Sequence, residues 1–381
     1  MMKREELTMF LASKELLHSK GRFVMIGLII VLVSWLVFIL SGLGNGLSDL
    51  AAGTLRQSEA TAVVVEKGSE MSLSKSMISA SVIDELKEQQ NITDAAAIGT
   101  ASTSVWKEGE SKDEKKTDVI LVGVAPGSFM EPSPVKGEGL TINQDNQVIA
   151  DDSLQNDGFV IGDQLSLNGS KETMTIAGFT NHQTLNHQPA VFTTLPMFRA
   201  VKYAAPDSDN GINDVVNGIL VKGSNIDTDK LAGAASGLEA GTKKEAVNAV
   251  PGYTAENGTI MLMLWFLMVI SAFVLGVFFY VLTNQKVQQF GVLKAIGGSN
   301  GFVIRSVMSQ VFILSLISIL AGILLTYITT LFLPDTMPFH LQPLMVGVYS
   351  IILLLISLIS SLFSVVKIAK IDPLTALGRV E

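Results

Sequence analysis

Histidines and paired acids are where chemistry would have to come from in this chain. It has no cysteine, and so no disulfide, thiolate ligand or thiol nucleophile. The four histidines are His18, His182, His187 and His340. His182 and His187 stand five apart in the polar run Asn181-His182-Gln183-Thr184-Leu185-Asn186-His187-Gln188. That spacing could serve a metal, but the run supplies no third ligand, and both read as surface-loop histidines. Asp151-Asp152 lacks the repeated acidic spacing of a calcium loop. Asp113-Glu114-Lys115-Lys116 reads as a solvated charge run. The sequence holds no G-x-S-x-G, H-E-x-x-H or C-x-x-C, so a membrane-anchored enzyme would lack a visible catalytic cluster. It also holds no G-x-x-x-x-G-K-[ST], so any nucleotide energy must come from another chain.

The elements that would position such residues divide sharply by composition. Of 381 residues 48% are apolar, but the apolar runs crowd both ends and the charge sits in the middle. A spanning helix needs about 20 mostly apolar residues, and four stretches qualify, at about 24–43, 259–282, 307–333 and 344–366. None has an ionisable side chain in its middle. The first exceeds the ~7–15 residues of a signal-peptide core and follows a charged stretch, so a retained anchor is expected. Basic residues set the orientation. Lys3, Arg4, Lys14, Lys20 and Arg22 precede the first span. Lys286, Lys294 and Arg305 lie between the second and third, and Lys367, Lys370 and Arg379 follow the fourth. Residues 44–257 hold 16 of the 27 basic residues but 29 of the 35 acids. Both termini are therefore expected in the cytoplasm, with the middle domain outside. The net charge of −8 argues against a nucleic-acid partner, which would want a basic face.

Residues 5–20 place Leu7, Phe10, Leu11 and Leu17 near one face, with Lys14 and His18 breaking the stripe, which predicts an amphipathic helix on the inner membrane surface. Residues 287–296 predict a short helix, with Gly297 as the C′ residue that ends it. A rigid helix held by a tight turn at the membrane face suits a docking element. In the middle segment, strands are predicted at 61–66, 118–124, 157–167, 173–179, 190–193 and 215–222. Asn168-Gly169 is the turn signal between the third and fourth. Helices are predicted at 82–90, with Ser81 as N-cap, and at 227–238. The segment is α+β, with at least two lobes.

This order of parts resembles the FtsX/MacB-like family of ABC permeases. Three motifs carry the resemblance over the whole chain. Gly291-Val292-Leu293-Lys294-Ala295-Ile296-Gly297-Gly298-Ser299 resembles the family's coupling motif. Ile371-Asp372-Pro373-Leu374-Thr375-Ala376-Leu377 resembles its tail motif. Ile161-Gly162-Asp163-Gln164-Leu165-Ser166-Leu167, followed by Met174-Thr175-Ile176-Ala177-Gly178, resembles a segment of its outer domain. One departure stands out: Gln288-Gln289 replace the family's Arg-Glu. Uncharged residues there resemble the hemin-exporting subgroup, as do Phe278-Phe279-Tyr280-Val281-Leu282-Thr283 and the loop Asp335-Thr336-Met337-Pro338-Phe339-His340.

The resemblance implies a fold: an α-helical membrane domain with four transmembrane helices, plus an α+β extracellular domain of the MacB-like periplasmic core type inserted between helices 1 and 2. The expected division is a cytoplasmic amphipathic elbow helix at 1–22, first span 23–43, outer domain 44–257 and second span 258–283. A cytoplasmic coupling loop at 284–304, third span 305–333, outer loop 334–343, fourth span 344–367 and cytoplasmic tail 368–381 complete it. The resemblance also implies two permease copies, each docked to a separate ABC ATPase, in membrane lipid and with no nucleic acid. ATP would be used by the partner, and this chain would bind no cofactor or metal and catalyse nothing. Gln289, Gly291, Leu293, Lys294, Ala295, Ile296, Gly297, Asp372 and Pro373 would couple to the ATPase. Ser34, Ser41, Gly42 and Gly44 are candidates for the dimer seam. For heme as substrate, Met261, Met263, Met268, Met337 and His340 are candidate axial ligands, with Asp49 as an oxygen ligand. The alternatives are export of antimicrobial peptide, antibiotic or lipoprotein, and a non-transporting permease that regulates cell-wall hydrolases. The latter expects a much smaller outer domain.

Overall fold

The structure is a computed structural model that describes residues 20–109, 115–142, 144, 146–168, 170, 172–334 and 337–369. The expected elbow helix of 1–22 falls almost wholly outside the described residues, and so do the tail motif with Asp372 and Pro373, Gly169, and Asp335-Thr336. In chain order the elements begin with α1 (Lys20–Gln57), β1 (Ala62–Glu66), β2 (Ile78–Ser79), α2 (Val82–Lys87), β3 (Ile92–Lys107), β4 (Thr117–Val124), β5 (Lys136–Gly137) and β6 (Gln147–Asp151). Next come β7 (Gln164–Leu167), β8 (Thr173–Thr180), β9 (Thr184–Leu185), β10 (Gln188–Thr194), α3 (Leu195–Lys202), β11 (Val215–Val216) and β12 (Gly218–Gly223). The chain continues with α4 (Thr228–Ala232), β13 (Leu238–Thr242), α5 (Lys243–Asn248), α6 (Tyr253–Asn284), α7 (Val287–Ala295), α8 (Asn300–Thr330) and α9 (Pro343–Ala369). Two compact units result: Leu47–Asn257, and Met1–Gly46 with Gly258–Glu381.

The middle unit is built on one mixed sheet whose order begins β13-β1-β12-β3-β4-β10-β6-β8-β5. The two lobes expected from sequence are halves of this sheet, and β3 belongs to both. Its residues from Ile92 to Ile98 pair with β12; those from Gly99 to Val105 pair with β4. Side chains alternate across a strand, and here both faces are covered. Val63, Val65, Ile98 and Leu220 join one core with Leu55 of α1 and Val247 of α5. Ala62, Val64, Ala97, Ile219 and Val221 join another with Leu86 of α2 and Leu231 of α4. The same division recurs beyond β3: Ile120, Val122 and Phe192 face the first core, while Val119, Leu121 and Val191 pack with Leu165, Met174 and Ile176. Double burial explains the unbroken apolar runs in β1 and β4.

Several expected elements differ. Residues 157–163 are not a strand: a 3-10 turn occupies Asp152–Asp157, and Gly158 and Gly162 have φ of +88° and +92°. The helix expected at 227–238 stops at Ala232, because Gly233 caps it and Gly237, at φ +82°, turns the chain into β13. Ser81 makes no side-chain cap to α2. The sixteen-residue strand β3 is absent from the sequence expectations: its β-branched residues are scattered among alanine, serine and glycine with no regular alternation, and pairing with β12 and β4 makes it a strand.

Gly99 on β3 and Gly123 on β4 form a socket. Any Cβ at Gly99 would overlap the Phe198 ring, and one at Gly123 would stand 2.5 Å from Phe198 Cβ. The missing side chains let α3 lie close to the sheet and bury Phe198 completely.

The other unit is built from four helices that, among the described residues, are long and apolar enough to cross a membrane, the first two having an end assigned to the middle unit: Phe23–Gln57, Tyr253–Asn284, Asn300–Thr330 and Pro343–Val366. Its core gathers Phe23, Ile30, Phe38, Leu275, Phe279, Val311, Ile319 and Leu353. Large apolar side chains such as Leu28, Phe273, Leu324 and Phe363 point outward, as lipid-facing positions require. Hydroxyls inside bond backbone carbonyls: Thr283 to Phe279, Thr326 to Gly322 and Ser357 to Leu353. Contacts between helices include Trp35 Nε1 donating to Thr329 Oγ1 at 3.0 Å and Ser364 Oγ donating to the Phe279 carbonyl at 3.3 Å.

Candidate functional site

The loop between the second and third spanning helices is built around α7. Its last turn closes as a Schellman motif: Gly297 N–H donates to the Lys294 carbonyl and Gly298 N–H to the Leu293 carbonyl, both at 2.9 Å. That closure needs a left-handed residue at C′, and Gly297 has φ +100°. Ser299 then starts α8, its side chain accepting from Phe302 N–H. Of the sequence-predicted residues, Gln289, Ala295, Ile296 and Gly297 are exposed, Leu293 and Lys294 are half-buried, and Gly291 is buried. Val292 and Ile296 are apolar yet 51% and 77% exposed. The outward surface of α7 is therefore apolar and amide-bearing, and the tight turn after it fixes its end.

The opposite end of α7 is held by Lys286, which in the sequence carries only an orientation charge. Lys286, the N-cap position of α7, is 4% exposed. Its ammonium donates to Gln310 Oε1 of α8 at 2.9 Å and lies 4.9 Å from the centre of the Phe23 ring of α1. Gln310 is equally buried. The signal was available: Lys286 stands just beyond one apolar run and Gln310 just inside the start of the next.

At the other end of this unit, Met261, Met263 and Met337 are exposed and Met268 and His340 half-buried. Met261 and Met268, seven apart, share a face of α6; Met263 lies about 200° from Met261 around the same helix. The segment from Met337 to His340 straps α1 at Gly42. His340 N–H donates to the Gly42 carbonyl at 3.0 Å, and the Phe339 ring covers Gly42 where a Cβ would clash. Gly44 receives Ile260 the same way, at 2.6 Å. A Cβ on Gly322 of α8 would overlap Ser34, and Ser41 is buried. The expected dimer-seam set is thus corrected: Ser34, Gly42 and Gly44 are consumed by close packing within one chain.

In the middle unit, Asp49 is buried and its Oδ1 is bound to Arg56 at 2.5 Å. Helix α1 is broken at Ala52, whose φ and ψ are −145° and 26°. The carbonyls before the break are taken by the histidine loop. Thr184 Oγ1 donates to the Asp49 carbonyl at 2.6 Å. His187 N–H donates to Leu50 at 3.0 Å and Asn186 N–H to Ala51 at 2.8 Å. His187 Nε2 also lies 3.2 Å from Glu256 Oε1, at the start of α6. The loop is therefore more than solvated surface: it fastens a broken helix whose backbone would otherwise lack partners. Asp151 is buried as well, bonded by Ser153 and by Gln183 N–H. Burial pushes its carboxyl above the usual range, against the lowering pull of those bonds.

A second polar knot was invisible to pattern reading. Asn217, fully buried, accepts from Thr100 N–H at 2.8 Å and from Lys202 Nζ at 2.9 Å, and donates to the Ser76 carbonyl. Lys202 Nζ also donates to the Thr100 carbonyl at 2.7 Å and lies 5.5 Å from the Phe198 and Tyr203 rings. Burial pulls its pKa down to about 8.

Two family models match successive parts of the chain. The MacB-like periplasmic core domain family matches residues 23–236, more than half of the chain. The FtsX-like permease C-terminal family matches residues 261–373. A protein of Staphylococcus haemolyticus named as a hemin transport system permease, HrtB, is 26% identical over 373 residues, covering 98% of this chain and all of that one. Its namesake in Staphylococcus epidermidis is 26% identical over 379 residues, covering 97% and 99%. The solved periplasmic region of MacB from Actinobacillus actinomycetemcomitans is 14% identical with a TM-score of 0.37, over 51% of this chain and 93% of that one.

Proposed function

We propose, from the premise that this chain belongs to the FtsX/MacB-like family of ABC transporter permeases, that it is the membrane subunit of an efflux system. In this reading a separate ATPase docks beneath α7 and drives it, and the outer domain expels an amphipathic substrate, hemin, from the outer leaflet. The observation that carries the reading is the α7 loop: an exposed, uncharged face on a helix fixed at both ends, where a binding partner would push. The near-full-length likeness to permeases named for hemin transport supports the substrate. Two permeases and two ATPases would form the complex, in the cytoplasmic membrane. Both termini and α7 would be cytoplasmic and the middle unit extracellular, following the charge asymmetry across the spans. The chain itself would hydrolyse nothing. The absence of ionisable residues from the middles of the spans fits expulsion from the membrane surface rather than passage through an aqueous pore.

The test is growth of a deletion strain on hemin and, separately, on a panel of peptides and macrolides. Selective hemin sensitivity, restored by the intact gene but not by Gly297→Val, is the expected result. Unchanged hemin tolerance with new sensitivity to a peptide or drug would overturn the hemin assignment and leave a general exporter. ATP hydrolysis by the purified chain alone would overturn the division of labour.

A further inference from the structure

We infer that Lys286 is the positioning residue that makes α7 a rigid strut. It holds the N-terminal end of that helix against α8, so that a load on the exposed face reaches α8 at both ends of α7 instead of through the glycine turn alone. This rests on the efflux reading above and adds a residue to it.

The geometry is a closed brace. Helix α7 has nine residues, about 13 Å at 1.5 Å per residue. Its C-terminal end runs through the Gly297-Gly298 closure directly into Ser299 and α8. Its N-terminal end is Lys286, bonded to Gln310, which lies ten residues into α8, about 15 Å along its axis. Two sides of similar length are thus joined at both ends, by covalent chain at one and by the buried Lys286–Gln310 hydrogen bond at the other, where α7 also continues into α6. Without that bond, the N-terminal end of α7 would keep its covalent link to α6 but lose this tie to α8, so a push on Gln289, Val292 or Ile296 would reach α8 chiefly through the glycine turn. With it, the push moves α8. The ammonium also lies over the Phe23 ring, so α1 is drawn into the same junction. Charge-assisted hydrogen bonds are about twice as strong as neutral ones, and exclusion of water strengthens this one further.

The chemistry favours a positioning role over a docking one. At 4% exposure Lys286 offers no surface to a partner, in contrast to Lys294 on the same loop. A docking lysine would be exposed; a brace must be buried.

The experiment uses the full chain co-purified with its ATPase and reconstituted in vesicles. It compares wild type with Lys286→Met, Gln310→Leu and the double variant. Assembly, ATP hydrolysis and hemin release are measured on the same preparations, with hemin tolerance in cells. The expected result for Lys286→Met is assembly and ATP hydrolysis within about twofold of wild type, with at least a tenfold fall in hemin released per ATP. Gln310→Leu should fall in the same direction, and the double variant should be no worse than Lys286→Met, because both singles break one bond. A Lys286→Met complex that hydrolyses and releases hemin like wild type overturns the inference. If Lys286→Met fails to assemble, Gln310→Leu decides alone, and normal release per ATP by that variant overturns it. A wild-type complex that moves no hemin overturns the efflux reading instead, so the two failures are distinguishable.

Discussion

Replacing Gly297 changes the conformation of one exposed residue and nothing else, which makes its effect calculable. The residue has φ +100°, and nothing lies within 4 Å of where a Cβ would stand. A side chain there meets no steric neighbour; it meets only the left-handed backbone, which costs an L-residue roughly 1–2 kcal/mol. If the variant instead abandons that conformation, it gives up the two closing hydrogen bonds from Gly297 and Gly298, worth about 1 kcal/mol each. Either route shifts the balance between closed and frayed ends of α7 about tenfold. Asparagine tolerates the left-handed region best after glycine, and a β-branched residue tolerates it worst. The expected order is therefore Gly297, then Gly297→Asn, Gly297→Ala and Gly297→Val, both in hydrogen-exchange protection of the 297 and 298 amides and in hemin tolerance. Protection should fall about tenfold between glycine and alanine. Alanine equal to glycine in both assays would refute the conformational argument. Asparagine as poor as valine would refute it too, since bulk rather than φ would then be deciding.

Two further outcomes concern the middle unit. Gly99→Ala should destabilise the full chain by about 1–3 kcal/mol through overpacking against Phe198, read by chemical unfolding, and Phe198→Leu in the same chain should recover part of that loss. The depressed Lys202 pKa gives a pH signature. The group's folded pKa, about 8, lies below its unfolded value near 10.5, so between those values the unfolded state binds more protons and stability rises with pH. The gain should reach an order of 2–3 kcal/mol. Lys202→Met should remove most of the rise between pH 8 and 10.5, leaving the contribution of Lys243, whose pKa burial also lowers; an unchanged profile would refute the assignment to Lys202.

What the sequence made legible was whatever rests on local pattern. The apolar runs predict the spanning helices because length and composition suffice for that. Gly297 is readable as a helix end because a glycine after an apolar helical stretch has few other uses there. Strands β1 and β4 are readable because double burial demands consecutive apolar residues. The alanine-rich β3 was not readable, since the partners that make it a strand lie on β4 and on β12, the latter more than a hundred residues away. The Lys286–Gln310 brace and the Lys202–Asn217 knot escaped for the same reason: each joins residues that are ordinary in their own segments. The small residues of α1 were legible as a packing surface but not as to what they pack against, because helix α8 and a second copy would leave the same signature.

The sharing of β3 also dictates an order of folding. The β3–β4 pair joins neighbours in the chain, so it closes a short loop and forms at little entropic cost. The earlier strand β1 has no such neighbour. Its partners are β12 and β13, with Val64 opposite Ile219 and Ala240, so more than 150 residues must emerge before it can pair. A domain delivered N-terminus first therefore presents the run Ala62-Val63-Val64-Val65 as an open edge for most of its synthesis, a template for wrong pairing. Arrival of β12 closes both edges together, since it docks between β1 and β3. The last strands made thus complete the first one, and truncation just before residue 218 would leave a half-sheet prone to aggregate rather than a smaller folded domain.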